Sequence, residues 1–203
     1  MSPNLTQWSA RAGMLGGLLW ALFPLGDLPE VESMLTPQGS LAYYGVGYLL
    51  PQLLLLMGLV GLHTLHRRSY GHLGTLGFYV SLVALVLAFV GGAFDVTTMA
   101  STGAGSTVGY LTLIVSFLLL AWGSVLLGLA ITGTLHDPPS YFGGLLLTIA
   151  VPLGILFVFM AGVDWDFNFW VGLTVPYGVV WLVLGYALIS ARGTVAEEPS
   201  RVS

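Results

Sequence analysis

Charged residues are scarce in this chain. Only 7% of its 203 residues are Asp, Glu, Lys or Arg, whereas soluble domains contain about 25%. There is no lysine at all, which excludes a lysine Schiff base and a lysine general base. With 56% of its residues hydrophobic, the chain cannot cover its surface with polar groups in water. The composition therefore predicts that most of the surface faces lipid.

Cysteine is also absent. Its absence excludes a disulfide, a thiolate zinc site, an iron–sulfur cluster and a thiol nucleophile, and it leaves the redox compartment undefined. The five arginines are too few for a nucleic-acid footprint, so we expect no nucleic-acid partner.

Six long apolar segments predict an all-α, polytopic membrane bundle. Each segment is long enough to cross about 30 Å of hydrocarbon as a helix. The first is the weakest, because Arg11 lies near its start. We expect a transmembrane domain over residues 1–192, followed by a polar cytoplasmic tail over 193–203. The predicted helices cover about 8–26, 41–62, 73–93, 108–131, 142–163 and 169–191.

The distribution of charge predicts an orientation. All five arginines fall on one side of the six predicted helices, whereas the connections on the other side carry acids and no base. Arginine in short loops marks the cytoplasmic side. We therefore expect a multi-pass protein of the cell membrane with both termini in the cytoplasm.

Two sequence similarities indicate an internal repeat. "GLVGLHTLH" (58–66) resembles "GLAITGTLH" (128–136), and the odd-numbered helices end in "FPLGD", "FVGGAFD" and "FMAGVD". Such spacing is typical of three similar helical hairpins in parallel repeat. The alternative is that small residues and an acid recur at any outer helix end.

Three of the four histidines lie in "LHTLHRRSYGH" (62–72). His63 and His66 share a helix face, and with His72 and His136 they form a candidate zinc or iron site. The alternative is that these residues are a cytoplasmic anchor, since polar residues belong at a membrane surface and two arginines between His66 and His72 oppose a cation.

Acids on the predicted outer side form a second candidate metal site. Asp164 and Asp166 in "VDWDFNFW" resemble the start of a calcium loop, but the glycine and the distal glutamate of that motif are absent. The interleaved aromatic residues are also typical of an interfacial aromatic belt. If the hairpins pack around one axis, Asp27 and Asp95 would approach Asp164, and such carboxylates would allow acid–base chemistry.

The predicted helix interiors carry neutral polar side chains and essentially no charge. An intramembrane charge usually marks an ion pathway, so its absence counts against a proton- or sodium-coupled transporter. Neutral groups suit a pocket for an uncharged amphiphile such as a lipid, a quinone or a carotenoid, or they join neighbouring helices. The candidate ligand-binding residues are Gln52, Tyr48, Tyr110, Ser116 and Tyr177.

The chain resembles small six-helix membrane proteins of halophilic archaea. The resemblance rests on "GGLLWALFPLGD", "YGHLGTLGFYVSL" and "VPYGVVWLVLGYAL", together with the missing lysine and the acid surplus. It implies a six-helix bundle and assigns no role to any residue. Pro51–Gln52 is similar to the dipeptide of the PQ-loop carriers, but those proteins have one in each repeat and this chain has one.

Three functions fit these patterns. The leading hypothesis is a non-catalytic membrane protein that binds a lipid-like or other apolar ligand, or that serves as an accessory subunit of a membrane complex. The second is a transporter or channel for a small neutral solute, with hinges at Pro51, Pro152 and Pro176. The third is a metal-dependent enzyme at the membrane surface. The sequence identifies no cofactor, and it allows both a homo-oligomer and a partner membrane subunit.

Overall fold

The computed structural model describes residues 3–28, 34, 36–134, 138–161 and 165–196, and these are almost entirely helical. A short 3-10 helix (Phe23–Asp27) follows the first α-helix. The predicted all-α fold is confirmed for the described residues. The six α-helices are α1 (Pro3–Leu22), α2 (Pro37–His66), α3 (Gly71–Thr102), α4 (Thr107–Thr134), α5 (Pro138–Ala161) and α6 (Trp165–Ala196).

The helices form a closed ring. Each packs mainly against its neighbours in the chain, and α6 returns to pack against α1. Short connections favour this antiparallel arrangement of neighbours. The large buried side chains fill the centre of the ring, where Trp20, Tyr177 and Trp181 are almost wholly inaccessible. Whether the three hairpins are copies of one unit stays a prediction.

Five of the six helices are long and apolar enough to cross a membrane: Gln38–His66, Gly71–Thr102, Thr107–Thr134, Pro138–Val158 and Trp170–Ser190. α1 is not among them. Its first turns carry Thr6, Gln7, Ser9 and Arg11, and these polar groups lower its affinity for hydrocarbon. A sixth span over 8–26 therefore stays a prediction.

Close backbone contacts between glycines hold five of the six interfaces of the ring together. A Cβ atom on one member of each pair would lie within 3.1 Å of the facing helix backbone. Small residues permit such approach, which in lipid replaces the hydrophobic driving force for helix association. The pairs are Gly13–Gly58 (α1–α2), Gly91–Gly109 (α3–α4), Gly128–Gly144 (α4–α5), Gly154–Gly172 (α5–α6) and Gly17–Gly178 (α1–α6).

The α2–α3 interface is built differently. Its described contacts include the Tyr48 ring of α2, which lies over Gly92 of α3, and His63, whose ring is stacked on Phe78 at 3.8 Å. Side chains rather than backbones therefore bridge these two helices. We call this contact the α2–α3 seam.

Local residue choices explain where several helices end. α1 gives way to a 3-10 turn at Phe23 because Pro24 cannot donate a helical hydrogen bond, so the α-helix ends before the predicted position 26. α3 continues past the predicted position 93 and ends at Thr102, directly before Gly103, which adopts φ +77°. Gly71 has φ +58° and open space around its α-carbon. Glycine is therefore favoured here because it adopts a positive φ readily, and not because a neighbouring helix packs closely against it.

α6 extends beyond the prediction at both ends. It begins at Trp165 and continues to Ala196, into the segment predicted as a polar tail. Pro51, Pro152 and Pro176 lie inside helices that continue on both sides of them. Each removes one backbone hydrogen bond, which neighbouring groups in a bundle can replace.

Candidate functional site

Gln52 lies near the middle of α2, directly after Pro51, and its side chain is completely buried. α1 approaches closely here, because a Cβ atom on Gly16 would stand 2.9 Å from the Pro51 carbonyl oxygen. Among the described residues, neither amide atom of Gln52 has a hydrogen-bond partner. A buried amide without partners is rare in folded proteins, so this residue marks the centre of the candidate site.

Tyr48 lies one helical turn before Gln52 on the same face of α2. Its hydroxyl is close to the Gln52 side chain but does not reach hydrogen-bonding geometry. The Asp95 carboxylate on α3 is close enough to this hydroxyl to interact with it electrostatically. Tyr48 and Gln52 therefore present an unused hydroxyl and an unused amide side by side, within the part of the chain that the structure describes.

The opposite wall comes from α4 and α6. The Tyr177 hydroxyl lies near both Ser124 and Trp181, yet the Ser124 hydroxyl and the Trp181 indole N–H have no partner among the described residues. Trp20 of α1 packs edge-on against Tyr177 with ring centroids 5.4 Å apart, and its N–H is also unpaired in the described part. Three unpaired polar groups, on α1, α4 and α6, thus lie near the Tyr177 hydroxyl.

Ser81 of α3 is a further buried polar residue, in contact with α4. Its backbone nitrogen would lie 2.7 Å from a Cβ atom on Gly123, the residue before Ser124, and its buried hydroxyl is unpaired in the described part of the chain. We call the whole set the central polar cluster: Trp20, Tyr48, Gln52, Ser81, Ser124, Tyr177 and Trp181.

Aromatic rings connect the two walls of the central polar cluster. Tyr48 contacts Trp170 with ring centroids 5.4 Å apart, and Trp170 contacts Phe117 at 5.9 Å. Phe117 in turn contacts Trp20 at 5.8 Å. Such contacts give the walls defined geometry. The polar groups therefore stand among flat apolar ring surfaces.

The chemistry of the central polar cluster is neutral. It offers the N–H groups of two tryptophans and one amide as donors, an amide oxygen as an acceptor, and hydroxyls that serve as either. Leaving each such group unpaired costs about 1–3 kcal/mol. A molecule with a carbonyl or hydroxyl group would recover part of this free energy, and water would do the same. None of the seven residues that make up the central polar cluster carries a charge.

The structure places the other predicted ligand-binding residues differently. Ser116 is buried, but its hydroxyl donates to the Leu113 carbonyl at 2.6 Å, so it is already used within α4. Tyr110 lies half-buried in the first turn of α4, away from the middle of the helix. Tyr48 and Gln52 are neighbours on α2, and Tyr177 is connected to them through the rings of Trp170, Phe117 and Trp20. Ligand binding by any of the five stays a prediction.

The sequence does not single out the two tryptophans for this site. Ser81 and Ser124 are among the neutral polar side chains that suit a pocket, but they are not among the five candidate ligand-binding residues. Trp20 lies two residues before the end of α1, where a tryptophan is ordinary. Trp181 lies near the middle of α6, whereas tryptophan in membrane helices favours the interface. That position was the available signal. The second signal was glycine spacing, since Gly13 and Gly17 of α1 both contact Trp181 and so set which face of α6 turns inward.

The described histidines have local contacts. His63 Nδ1 and the Tyr70 hydroxyl are hydrogen-bonded at 2.8 Å, and this pair braces the turn between α2 and α3. The His66 ring lies 6.4 Å from Tyr70, and His72 is exposed. Burial raises the pKa of the Tyr70 phenol. The histidine-rich segment thus stabilises this turn through the contact between His63 and Tyr70.

Some of the residues in the two predicted metal sites lie outside the part of the chain that the structure describes. Within the described residues, no three His, Asp or Glu side chains are placed to hold a metal ion. His136, Asp164 and the side chains of Asp27 and Asp166 lie outside the described part, so the proposed metal ligands and the meeting of outer acids stay predictions. Asp95 has a defined role, because its carboxylate accepts a hydrogen bond from the Ser106 backbone N–H at the start of α4.

No protein-family model, no curated protein and no solved structure matches the chain. Its class therefore follows from its own features. Five apolar helices of membrane-spanning length in one bundle make it a multi-pass helical membrane protein.

Proposed function

We propose that this protein binds an uncharged amphiphile in the centre of its helix bundle and performs no chemistry on it. The observation that carries the proposal is Gln52, fully buried with both amide atoms unpaired among the described residues. The ligand has an apolar body and at least one carbonyl or hydroxyl group. Lipids and quinones are members of this class.

The contacts around Gln52 support this ligand class. From Tyr48, one turn before Gln52, ring contacts continue to Trp170, Phe117 and Trp20, and these rings are apolar surfaces for a hydrophobic body. Hydroxyls and indole N–H groups then fix the polar end, and few convergent polar groups in an apolar site are typical of small-molecule binding. A charged ligand would meet no opposite charge within the central polar cluster.

Mass spectrometry of the intact detergent-purified protein, with an absorbance scan of the same sample, tests the proposal. We expect an added neutral mass on the wild-type protein, and an absorbance band if the molecule is a quinone or a carotenoid. The Gln52→Met variant should lose the added mass, because it keeps the side-chain length and removes the amide. Ser116→Ala is the matched control, since the Ser116 hydroxyl is already bonded within α4.

Two results would overturn the proposal. One is a bare protein mass for the wild type after purification in mild detergent and after incubation with a membrane lipid extract. The other is an added mass that Gln52→Met retains in full. An added mass lost equally from Gln52→Met and Ser116→Ala would show that binding does not depend on the central polar cluster.

The α2–α3 seam favours a second candidate, passage of a small neutral solute. Side chains bridge this interface, and Pro51 interrupts the hydrogen bonding of α2 next to Gln52. Movement of α2 would open a path to the central polar cluster. Flux of small uncharged solutes into vesicles containing the protein tests this function, with Gln52→Met as the comparison; equal flux in protein-free vesicles would exclude it.

Under either function we place both termini in the cytoplasm, as the arginine distribution indicates. Arg67 and Arg68 are exposed at the turn between α2 and α3, where the positive-inside preference applies.

A further inference from the structure

The surface formed by α4 and α5 carries an unusual residue for its position. Trp122 is 69% exposed and lies about 18 Å from the end of α4 at Thr134, near the middle of the span. Tryptophan in membrane proteins favours the interface, where its N–H can reach water. In the described part of the chain, the Trp122 indole N–H has no acceptor. An exposed indole at this depth therefore needs a partner that lipid tails do not provide.

A groove lies beside Trp122, between α4 and α5. It measures about 330 Å³ and is lined by Ala121, Trp122, Val125, Pro152 and Ile155. The walls are apolar, and the size suits an aromatic ring. A bulky exposed side chain and a depression thus occur next to each other on one face of the bundle.

One of the residues that line the groove, Pro152, changes the hydrogen bonding of α5. Pro152 is exposed and has no N–H, so the Thr148 carbonyl loses its partner four residues later in α5. Pro152 lies about 21 Å from the start of α5 at Pro138, close to the depth of Trp122. An unpaired donor on α4 and a released acceptor on α5 therefore stand at similar depth.

We propose that the chain forms a homodimer through this α4–α5 face, with a two-fold axis along the membrane normal. A two-fold interface requires one patch that complements itself. Here Trp122 of each copy fills the groove of the other, and its N–H approaches the Thr148 carbonyl there. A two-fold axis in this direction keeps residues at equal depth, as the positions of Trp122 and Pro152 require. The dimer does not depend on the central polar cluster.

Cross-linking of single-cysteine variants in native membranes tests the dimer, because the chain has no cysteine of its own. Val125→Cys and Leu118→Cys place thiols on the α4 face around Trp122. Leu53→Cys is the matched control, since Leu53 is exposed on α2 and lies about 20 Å from the end of its helix at His66. We expect a cross-linked dimer of this chain at one or both α4 positions and none at Leu53→Cys.

A second substitution ties the result to Trp122. Adding Trp122→Leu to the cross-linking variant should reduce the dimer yield at least tenfold, whereas Trp122→Phe should reduce it less because it keeps a ring. Since Trp122 is exposed, both variants should keep the thermal midpoint of the wild-type monomer in detergent. The proposal fails if the α4 positions do not cross-link, if Leu53→Cys cross-links equally, if Trp122→Leu leaves the yield unchanged, or if the captured protein is a different chain.

Discussion

Gly17 of α1 and Gly178 of α6 lie backbone against backbone: a Cβ atom on Gly17 would stand 2.6 Å from the Gly178 carbonyl oxygen. This contact closes the ring, because α1 and α6 are the first and last helices. We predict that Gly17→Ala lowers the free energy of unfolding by about 1–3 kcal/mol, since the facing backbone cannot move aside without separating the helices. Thermal unfolding in detergent measures the change.

Gly133→Ala is the control for this prediction. Gly133 is exposed near the end of α4, and a Cβ atom there would meet nothing within 4 Å. Alanine favours helix over glycine by about 0.5–1 kcal/mol, so this variant should be as stable as the wild type or slightly more stable. Equal losses in both variants would mean that the α1–α6 contact is looser than the structure shows.

The helices could be predicted because a membrane requires runs of apolar residues, and these can be counted directly. Their ends could not, because single residues decide them. Pro24 ends the α-helical part of the first segment early. α3 continues past position 93 because Asp95 and the residues that follow it remain helical, and it stops only before Gly103. Hydrophobicity carries no information on either point.

The candidate site was predictable in part, for a similar reason. Gln52 is conspicuous as an amide in an apolar helix, but Ser116 and Ser124 look alike in the sequence. Both are buried, and only the structure shows that Ser116 donates to the Leu113 carbonyl while Ser124 has no partner among the described residues. Trp20 and Trp181 join them because of how the helices rotate, which depends on contacts between distant segments.

Gln52 should reduce the stability of the protein when no ligand is bound. We predict that Gln52→Met raises the free energy of unfolding of the ligand-free protein by about 1–3 kcal/mol, because the variant no longer buries two unpaired polar atoms. Thermal unfolding of protein stripped by extensive detergent exchange measures this. A lower midpoint would show that the amide has partners, such as enclosed water, that stabilise the fold.

Asp95 should stabilise the start of α4. Its carboxylate accepts from the Ser106 N–H, in the manner of a side chain that caps a helix N-terminus. We predict that Asp95→Ala lowers the free energy of unfolding by about 0.5–2 kcal/mol. Asp95→Asn keeps an acceptor oxygen and should lose less than half as much. Equal losses would assign the effect to the negative charge alone.

Tyr70 and His63 form the best-defined polar contact at the turn between α2 and α3. The Tyr70 side chain is buried, and its hydroxyl is hydrogen-bonded to His63 Nδ1 at 2.8 Å. At pH 8, Tyr70→Phe should lower the free energy of unfolding by about 0.5–1.5 kcal/mol through loss of this bond. Thermal midpoints of the variant and the wild type at pH 8 give the comparison.

The same substitution should change how stability depends on pH. Burial raises the pKa of the Tyr70 phenol in the folded protein, whereas an unfolded tyrosine ionises near about pH 10. Below that pH both states are protonated and the full stability is present; above it the unfolded state loses its proton first, so stability falls as pH rises. Between about pH 10 and pH 11, Tyr70→Phe should therefore lose less stability than the wild type. Tyr141→Phe, at an exposed tyrosine, is the control and should follow the wild-type curve; parallel curves for Tyr70→Phe and the wild type would contradict the prediction.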